Sequence, residues 1–140
     1  MKSEVTIIMD SNSENEMFAR IAIAAFIAPL NPTIEELNDI KTAVSEAITN
    51  AIIHGYADKS GKIFLTCKII GREVVIKIED NGIGIDDIKK AMEPLYTSKP
   101  DMERSGIGFT VMETFMDKIF VESKKNFGTT IVMSKNLIAS

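Results

Sequence analysis

The feature that most constrains the fold is a pair of adjoining stretches in which apolar and polar residues alternate. Lys62 to Ile70 and Glu73 to Glu79 both alternate with a period of two, and Gly71-Arg72 lies between them. A period of two is typical of a β-strand with one buried face, and a short glycine-containing break is typical of a hairpin turn. The sequence therefore predicts an antiparallel hairpin at the centre of the chain.

Further strands are predicted on both sides of this hairpin. The β-branched run Val5 to Met9 predicts a first strand, and Ile119 to Ser123 with Thr129 to Met133 predicts a last hairpin that turns across Lys124 to Gly128. Hairpins between successive strands are typical of an antiparallel arrangement. We expect the sheet to be mixed but mostly antiparallel.

The helices are predicted from capping boxes and helical spacing. Ser13 to Glu16 and Thr33 to Glu36 both have the form in which a hydroxyl and a carboxylate cap the first turn reciprocally. The second box begins a long helix that we expect to continue to about Gly55. Its apolar face has helical spacing and comprises Ile34, Leu37, Ile40, Val44, Ile48 and Ile52.

Three further segments complete the prediction. A short helix is expected from Asp86 to Met92 and another from Phe109 to Met116, whereas Pro94 to Ser105 has turn-forming residues without a clear period. Helices on one layer and strands on the other give a two-layer α/β sandwich, expected to be one domain over residues 1–140. Sequential hairpins and the lack of a Gly-x-Gly-x-x-Gly loop argue against a doubly wound dinucleotide-binding fold.

Composition excludes several classes of function. The chain has 16 basic and 20 acidic residues, a net charge of −4, and no basic stripe of the kind that binds nucleic acid. Its longest apolar segment, Ile21 to Leu30, is about half of the roughly 20 residues that a membrane span needs. One cysteine, Cys67, lies in an alternating stretch and is expected to be a buried thiol in a reducing compartment. We expect a cytoplasmic protein that binds neither nucleic acid nor membrane.

Two polar residues on the long helix form the first candidate site. Glu46 and Asn50 are four residues apart, so both side chains project from one helix face. An amide oxygen is a suitable neutral ligand for Mg²⁺, and a carboxylate nearby can accept the proton of an attacking hydroxyl or water. Taken alone, the pair also fits an ordinary solvated helix face.

Two glycine-containing segments form the rest of the candidate site. Asp80 follows the central hairpin and precedes Gly82 and Gly84, and a carboxylate there can accept from the exocyclic amine of adenine. Gly106 and Gly108 precede the predicted helix from Phe109, whose first N–H groups would attract phosphate oxygens. Each segment alone also fits a plain turn, but the order of all three predicts an ATP site.

In this order the segments resemble the three conserved boxes of the ATP-binding superfamily that includes gyrase, histidine kinases and MutL. The chain as a whole is similar to the bacterial anti-sigma factor serine kinases of partner-switching systems, most closely to those of sporulation. Ser45 to Gly55, Glu79 to Ile85 and Ser105 to Glu113 carry this resemblance, and Pro94 to Pro100 resembles the ATP lid of the family. The resemblance implies a Bergerat-type fold and binding of ATP or ADP with Mg²⁺.

The resemblance also implies a role for individual residues. Glu46 would be the catalytic base, Asn50 the magnesium ligand and Asp80 the adenine anchor, while Arg20 on the first helix would dock protein partners. Thr130 matches a threonine that lies near the aspartate and adenine in the family. The remaining residues that would line the nucleotide are Gly82, Gly84, Ile85, Thr97, Ser98, Ser105, Gly106, Gly108 and Phe109.

The implied function is partner switching. The protein would sequester a sporulation sigma factor and, as an ATP-dependent serine kinase, phosphorylate and inactivate an anti-anti-sigma protein; a homodimer is also expected. Two alternatives remain: a nucleotide-gated binding module without phosphoryl transfer, and a simple ATPase. The one histidine, His54, lies inside the long helix, where packing is favoured over a role as phosphoacceptor.

Overall fold

One antiparallel sheet organises the chain in the computed structural model, which describes residues 2–56, 59–84 and 104–138, with 104–108 described by their backbone alone. The five strands are β1 (Lys2–Asp10), β2 (Lys62–Ile70), β3 (Glu73–Asp80), β4 (Lys118–Lys124) and β5 (Gly128–Asn136). Their spatial order is β1-β2-β3-β5-β4, and each neighbouring pair is antiparallel. The predicted two-layer α/β fold is confirmed. We expected a mixed, mostly antiparallel sheet, but all strand pairs within the described residues are antiparallel.

Within the described residues, three α-helices cover one face of this sheet: α1 (Glu14–Ile27), α2 (Ile34–Asn50) and α3 (Arg104–Phe115). A 3₁₀ turn, Ala28–Leu30, follows α1, and a π-helical turn, Ala51–Gly55, continues α2. The helix predicted for Asp86 to Met92 lies outside the described residues, as does all of the loop predicted for Pro94 to Ser105 except its last two residues, which belong to α3.

The central hairpin has the predicted strands and the predicted turn. Ile70 pairs with Glu73, and Gly71 takes the left-handed conformation that the tight turn requires, with a φ of 62°. Alternate residues of β2 and β3 face the helices and are buried, whereas the residues between them face solvent. Cys67 lies at the middle of the buried face and is fully inaccessible, as predicted.

The helix starts differ in how they are capped. Thr33 and Glu36 form the predicted capping box: the Thr33 hydroxyl accepts from the Glu36 N–H at 3.0 Å, and the Glu36 carboxylate accepts from the Thr33 N–H at 2.9 Å. The box predicted at Ser13 is wrong. The Ser13 side chain caps no N–H group: the Glu16 N–H donates to the Ser13 backbone carbonyl at 3.3 Å, and the Asn15 N–H donates to the Asn12 Oδ1 at 3.1 Å.

The core lies between the inner face of the sheet and the three helices. Of the predicted apolar face of α2, Ile40, Val44 and Ile48 are fully buried, whereas Ile34 in the first turn is 80% exposed. The other two helices contribute buried side chains at helical spacing, and the strands contribute alternate residues. These side chains are Ala19, Ile23, Ile27, Ile63, Leu65, Ile69, Val74, Ile76, Ile78, Phe109, Met112, Ile131 and Met133. Among the described residues, no helix is long and apolar enough to cross a bilayer.

Candidate functional site

Asp80 is a buried carboxylate at the end of β3. It faces the helices, because alternate residues of β3 point inward and Val74, Ile76 and Ile78 occupy the same face. Burial raises the pKa of Asp80 to about 6, although the backbone N–H groups of Gly82 and Thr129 donate hydrogen bonds that lower it. Two N–H donors leave part of the acceptor capacity of a carboxylate unused. This side chain is therefore suited to accept from a ligand amine.

The π-helical turn at the end of α2 places backbone directly against Asp80. A Cβ added to Gly55 would lie 2.8 Å from the Asp80 Oδ1, so only glycine fits there without displacing the carboxylate. The Gly55 carbonyl accepts from the Ile83 N–H at 2.8 Å, and a Cβ on Gly82 would lie 1.9 Å from the same carbonyl oxygen. The segment that follows β3 is thus packed against the end of the helix that carries Glu46 and Asn50.

The turn between β4 and β5 holds this segment from its other side. Gly84 has a φ of 76°, and a Cβ there would lie 2.2 Å from the Lys124 carbonyl oxygen. Asn126 takes a left-handed conformation and donates its N–H to the Ile83 carbonyl at 2.7 Å. Gly82 and Gly84 are therefore required by close backbone contacts on two sides, as the sequence predicts for a glycine box.

Asn50 and Glu46 lie on α2 ahead of the π-helical turn. Asn50 is 8% exposed, and its side-chain nitrogen has no hydrogen-bond partner among the described residues, whereas Glu46 is partly buried. The unpaired atom is an N–H donor, which fits a residue whose nitrogen finds its partner on a ligand oxygen, such as that of a phosphate. No group of three or more His, Cys, Asp or Glu side chains in the described ranges could hold a metal. One amide oxygen with phosphate and water is a set that suits Mg²⁺.

The two adjacent threonines of β5 face opposite sides of the sheet. Thr129 pairs with Asp80 and is buried, and its hydroxyl lies 2.8 Å from the Ser123 hydroxyl. Thr130 pairs with Glu79 and so shares the outer face of the sheet. The placement of Thr130 beside Asp80 is therefore corrected to Thr129. Period-two alternation with the buried Ile131 already carried this signal in the sequence.

The start of α3 also differs from the prediction. The helix begins at Arg104, so Gly106 and Gly108 lie within its first turns instead of before it. The free N–H groups of a helix start are those of its first four residues, here Arg104 to Ile107, so Ser105 and Gly106 contribute two of them. Phe109 is 2% exposed and its side chain lies in the core, which leaves only its backbone for a ligand. Ile85, Thr97 and Ser98 lie outside the described residues.

Arg20 lies on α1, which packs against α2 and β1. Its side chain is 36% exposed, and its Nε lies 3.7 Å from the Glu16 Oε1. Three large apolar side chains nearby on α1 are exposed by more than half: Met17, Phe18 and Ile21. This surface, which we call the α1 face, combines one cation with unpartnered apolar area.

Comparison with known proteins agrees with this geometry. Residues 12–135 match the model of the histidine kinase-like ATPase domain. The chain is 61% identical over 125 residues to the anti-sigma F factor of Clostridium kluyveri (strain ATCC 8527), a match that covers 89% of this chain and 88% of the relative. It is 64% identical over 126 residues to the anti-sigma F factor of Clostridium botulinum (strain Eklund 17B), with the same coverage.

Solved structures show the same fold at low identity. The RsbU and RsbW domains of a Mycobacterium tuberculosis protein superpose with a TM-score of 0.70 and 20% identity over 96% of this chain, which spans 32% of that longer chain. The nucleotide-free catalytic domain of the histidine kinase ThkA superposes with a TM-score of 0.59 and 16% identity, covering 94% and 96% of the two chains. This chain belongs to the family of histidine kinase-like ATPase domains and, within it, to the anti-sigma F factors.

Proposed function

We propose that this protein binds a sporulation sigma factor and, as an ATP-dependent serine kinase, phosphorylates the anti-anti-sigma protein that competes for the same surface. The observation that carries the proposal is the joint burial of Asn50 and Asp80 beside the glycine-only contact at Gly55. The close relatives named anti-sigma F factor support the choice of partner.

Asp80 would accept a hydrogen bond from the adenine amine, which distinguishes adenine from guanine. Asn50 would hold Mg²⁺ through its amide oxygen, and the ion would neutralise charge on the β- and γ-phosphates. The first N–H groups of α3, including those of Ser105 and Gly106, would bind phosphate oxygens at the positive end of the helix dipole. Gly82 and Gly84 let the backbone approach closely at the adenine end.

Glu46 is proposed as the general base. It lies one helical turn before Asn50, on the same face of α2, so a hydroxyl that approaches a phosphate beside the metal that Asn50 would hold comes near this carboxylate. The serine oxygen then attacks the γ-phosphorus, its proton passes to Glu46, and the bond to the β–γ bridging oxygen breaks to release ADP. A metal held by Asn50 would add charge stabilisation on the phosphates.

The α1 face is the proposed docking surface for both protein partners. Arg20 can pair bidentately with a partner carboxylate, and the exposed Met17, Phe18 and Ile21 supply the apolar contacts that surround such an anchor. A shared surface makes the two partners mutually exclusive. Phosphorylation adds about two negative charges to the anti-anti-sigma protein and releases it. We also propose a homodimer, because β1 is an edge strand of the described sheet.

A labelled phosphate transfer assay tests the proposal. Wild-type protein with labelled ATP, Mg²⁺ and the anti-anti-sigma protein should label a serine of that partner. The Glu46→Gln variant should bind ATP almost normally and lose about 10²- to 10⁴-fold in transfer rate, the usual worth of general-base catalysis. Label that appears only as free phosphate would favour a simple ATPase. Absence of any transfer by the wild type would favour a nucleotide-gated binding module.

A pull-down with each partner tests the docking surface separately. Arg20→Glu should lose both the sigma factor and the anti-anti-sigma protein while its ATP affinity stays unchanged. Lys41→Glu makes the same charge change on α2 and serves as the control. Normal binding of both partners by Arg20→Glu would place the docking surface elsewhere.

A further inference from the structure

The residue that ends the π-helical turn, Tyr56, joins two parts of the site that are far apart in the sequence. Its hydroxyl accepts a hydrogen bond from the Asn81 N–H at 2.9 Å and donates one to the Lys62 carbonyl. Asn81 directly follows the proposed adenine anchor, Asp80. The Tyr56 side chain therefore reaches from the end of the helix that bears Asn50 to the loop that bears Asp80.

The position of the Tyr56 ring is fixed from two sides. Its backbone N–H donates to the Ala51 carbonyl at 2.9 Å, which closes the π-helical turn. A Cβ added to Gly61 would lie 2.3 Å from the ring, so the ring rests directly on that glycine. Because the ring cannot shift towards Gly61 and its backbone is tied to the helix, the hydroxyl is held at a defined place.

Two consecutive residues, Gly55 and Tyr56, thus hold the loop at the two residues that flank Gly82. The Gly55 carbonyl accepts from the Ile83 N–H, and the Tyr56 hydroxyl accepts from the Asn81 N–H. Between these points, the Gly82 N–H donates to the Asp80 Oδ1 at 2.9 Å and so orients the carboxylate. A loop anchored on both sides of Gly82 keeps that N–H, and with it the carboxylate, in one orientation.

We infer that Tyr56 is a positioning residue for adenine recognition, acting through Asn81 on the orientation of Asp80. This inference rests on the proposed function, because it requires Asp80 to bind adenine. It also implies that the helix bearing the proposed metal ligand and the loop bearing the adenine anchor move as one unit. A change in the π-helical turn would then affect both ends of the nucleotide.

The test compares two variants that each remove one hydroxyl that bonds to the stretch from 59 to 62. Tyr56→Phe keeps the ring over Gly61 and loses the contacts with Asn81 and Lys62. Ser11→Ala is the matched control, because the Ser11 hydroxyl accepts from the Gly61 N–H at 2.9 Å and donates to the Lys59 carbonyl at 3.2 Å. Both variants loosen the stretch from 59 to 62, but only the first releases Asn81.

Affinities for Mg-ATP and Mg-GTP are measured by calorimetry, with the melting temperature of each apoprotein. Tyr56→Phe should weaken ATP binding by about threefold to tenfold, the range expected for one lost hydrogen bond, and should leave GTP binding unchanged. The preference for ATP over GTP should then fall by the same factor. Ser11→Ala should keep the wild-type preference at a similar loss of melting temperature. Equal preferences in the two variants would overturn the inference.

Two further arms separate the possible failures. Asp80→Asn is measured in parallel: unchanged ATP affinity in that variant would reject the adenine anchor itself, whereas a loss there with no specific effect of Tyr56→Phe rejects only the role of Tyr56. Hydrogen exchange on the wild-type protein needs no variant at all. The Asn81 amide should be protected without nucleotide, and exchange at the rate of an unbonded amide would overturn the inference.

Discussion

Two buried carboxylates near opposite ends of α2 have pKa values that are shifted in opposite directions. Asp80, at the candidate site, receives two backbone N–H donors, and its burial raises its pKa to about 6. Glu36, in the first turn of α2, is 5% exposed. Its burial also acts to raise the pKa, but hydrogen bonds from Thr33 and the Ile138 N–H and the charge of Lys135 outweigh this effect and lower it below 4.5.

The surroundings of Glu36 explain this difference. Its second oxygen accepts from the Ile138 N–H at 2.7 Å, and Arg72 binds the Leu30 and Ile138 carbonyls at 2.9 Å each. These bonds fasten the segment after β5 to the start of α2 and to the central hairpin. Both oxygens of Glu36 thus accept hydrogen bonds from backbone N–H groups of the fold. At Asp80 the protein leaves acceptor capacity unused, which is the condition expected of a group that binds a ligand.

The strongest test of this contrast is Asp80→Asn, which keeps the size of the side chain. Its amide would turn a donor towards the adenine amine, so ATP affinity should fall by about 1–3 kcal/mol. The melting temperature of the apoprotein at pH 7.5 should stay equal or rise, because ionisation of Asp80 costs stability in the fold. Glu79→Gln, on the outer face of β3, is the control for charge. A lower melting temperature with unchanged ATP affinity would make Asp80 a structural group like Glu36.

Glu36→Gln should have the reverse effect. One of its two oxygens becomes a donor facing the N–H of Thr33 or Ile138, so the free energy of unfolding should fall by about 1–3 kcal/mol while ATP affinity stays constant. Glu35→Gln makes the same charge change one residue earlier, at an exposed position, and should leave stability within about 0.5 kcal/mol. Urea unfolding followed by circular dichroism measures both. Equal stabilities of the two variants would contradict the role of Glu36.

The pH dependence should separate the two groups within one protein. Asp80 has a folded pKa of about 6 against an ordinary value of 3.8, so its contribution to stability is present below about pH 4 and is lost as pH rises to 6. Glu36 has a lowered pKa, so its contribution is present above pH 4.5 and is lost as pH falls. Unfolding curves of the wild type and the two variants from about pH 2.5 to pH 7 measure both slopes.

Nucleotide binding should follow the ionisation of Asp80. Only the carboxylate accepts freely from the adenine amine, so ATP affinity should fall about tenfold per unit well below pH 6, and binding near pH 6 should release about half a proton. Calorimetry in two buffers of different ionisation enthalpy measures that proton. Constant affinity from pH 7 to pH 5 would be incompatible with the raised pKa.

The smallest expected effect concerns the two threonines of β5. Thr130→Val should leave ATP affinity within about twofold, because its side chain lies on the outer face with Glu79. Thr129→Val removes the contact with the Ser123 hydroxyl next to Asp80 and should weaken ATP binding by about threefold or more. A larger loss in Thr130→Val than in Thr129→Val would restore the placement made from the sequence.

The sequence predicts features that depend on local pattern and misses those that depend on tertiary contact. The hairpin at Gly71 and the capping box at Thr33 need only a turn residue and residues three apart, and both are present. The box at Ser13 has the same spacing, yet the Glu16 N–H bonds to the Ser13 backbone carbonyl and the Asn12 side chain caps Asn15 instead. Spacing alone does not decide between two competing polar side chains.

The candidate site shows the same division. The order of Glu46, Asn50, Asp80 and the glycines can be read from the sequence, because each side chain type has its own chemistry. The π-helical turn after Asn50 cannot, since it depends on the fit of Gly55 against Asp80 and Gly82 across the fold. The role inferred for Tyr56 has the same origin: its partner, Asn81, is 25 residues away.

The burial of the single cysteine, Cys67, determines how fast its thiol can be modified. Burial at the centre of β2 raises the pKa of the Cys67 thiol to about 12, so the reactive thiolate is almost absent in the folded protein. Alkylation can therefore proceed only when the middle of the sheet opens. The rate of modification by a small thiol reagent, followed by mass spectrometry, reports that opening without any introduced label.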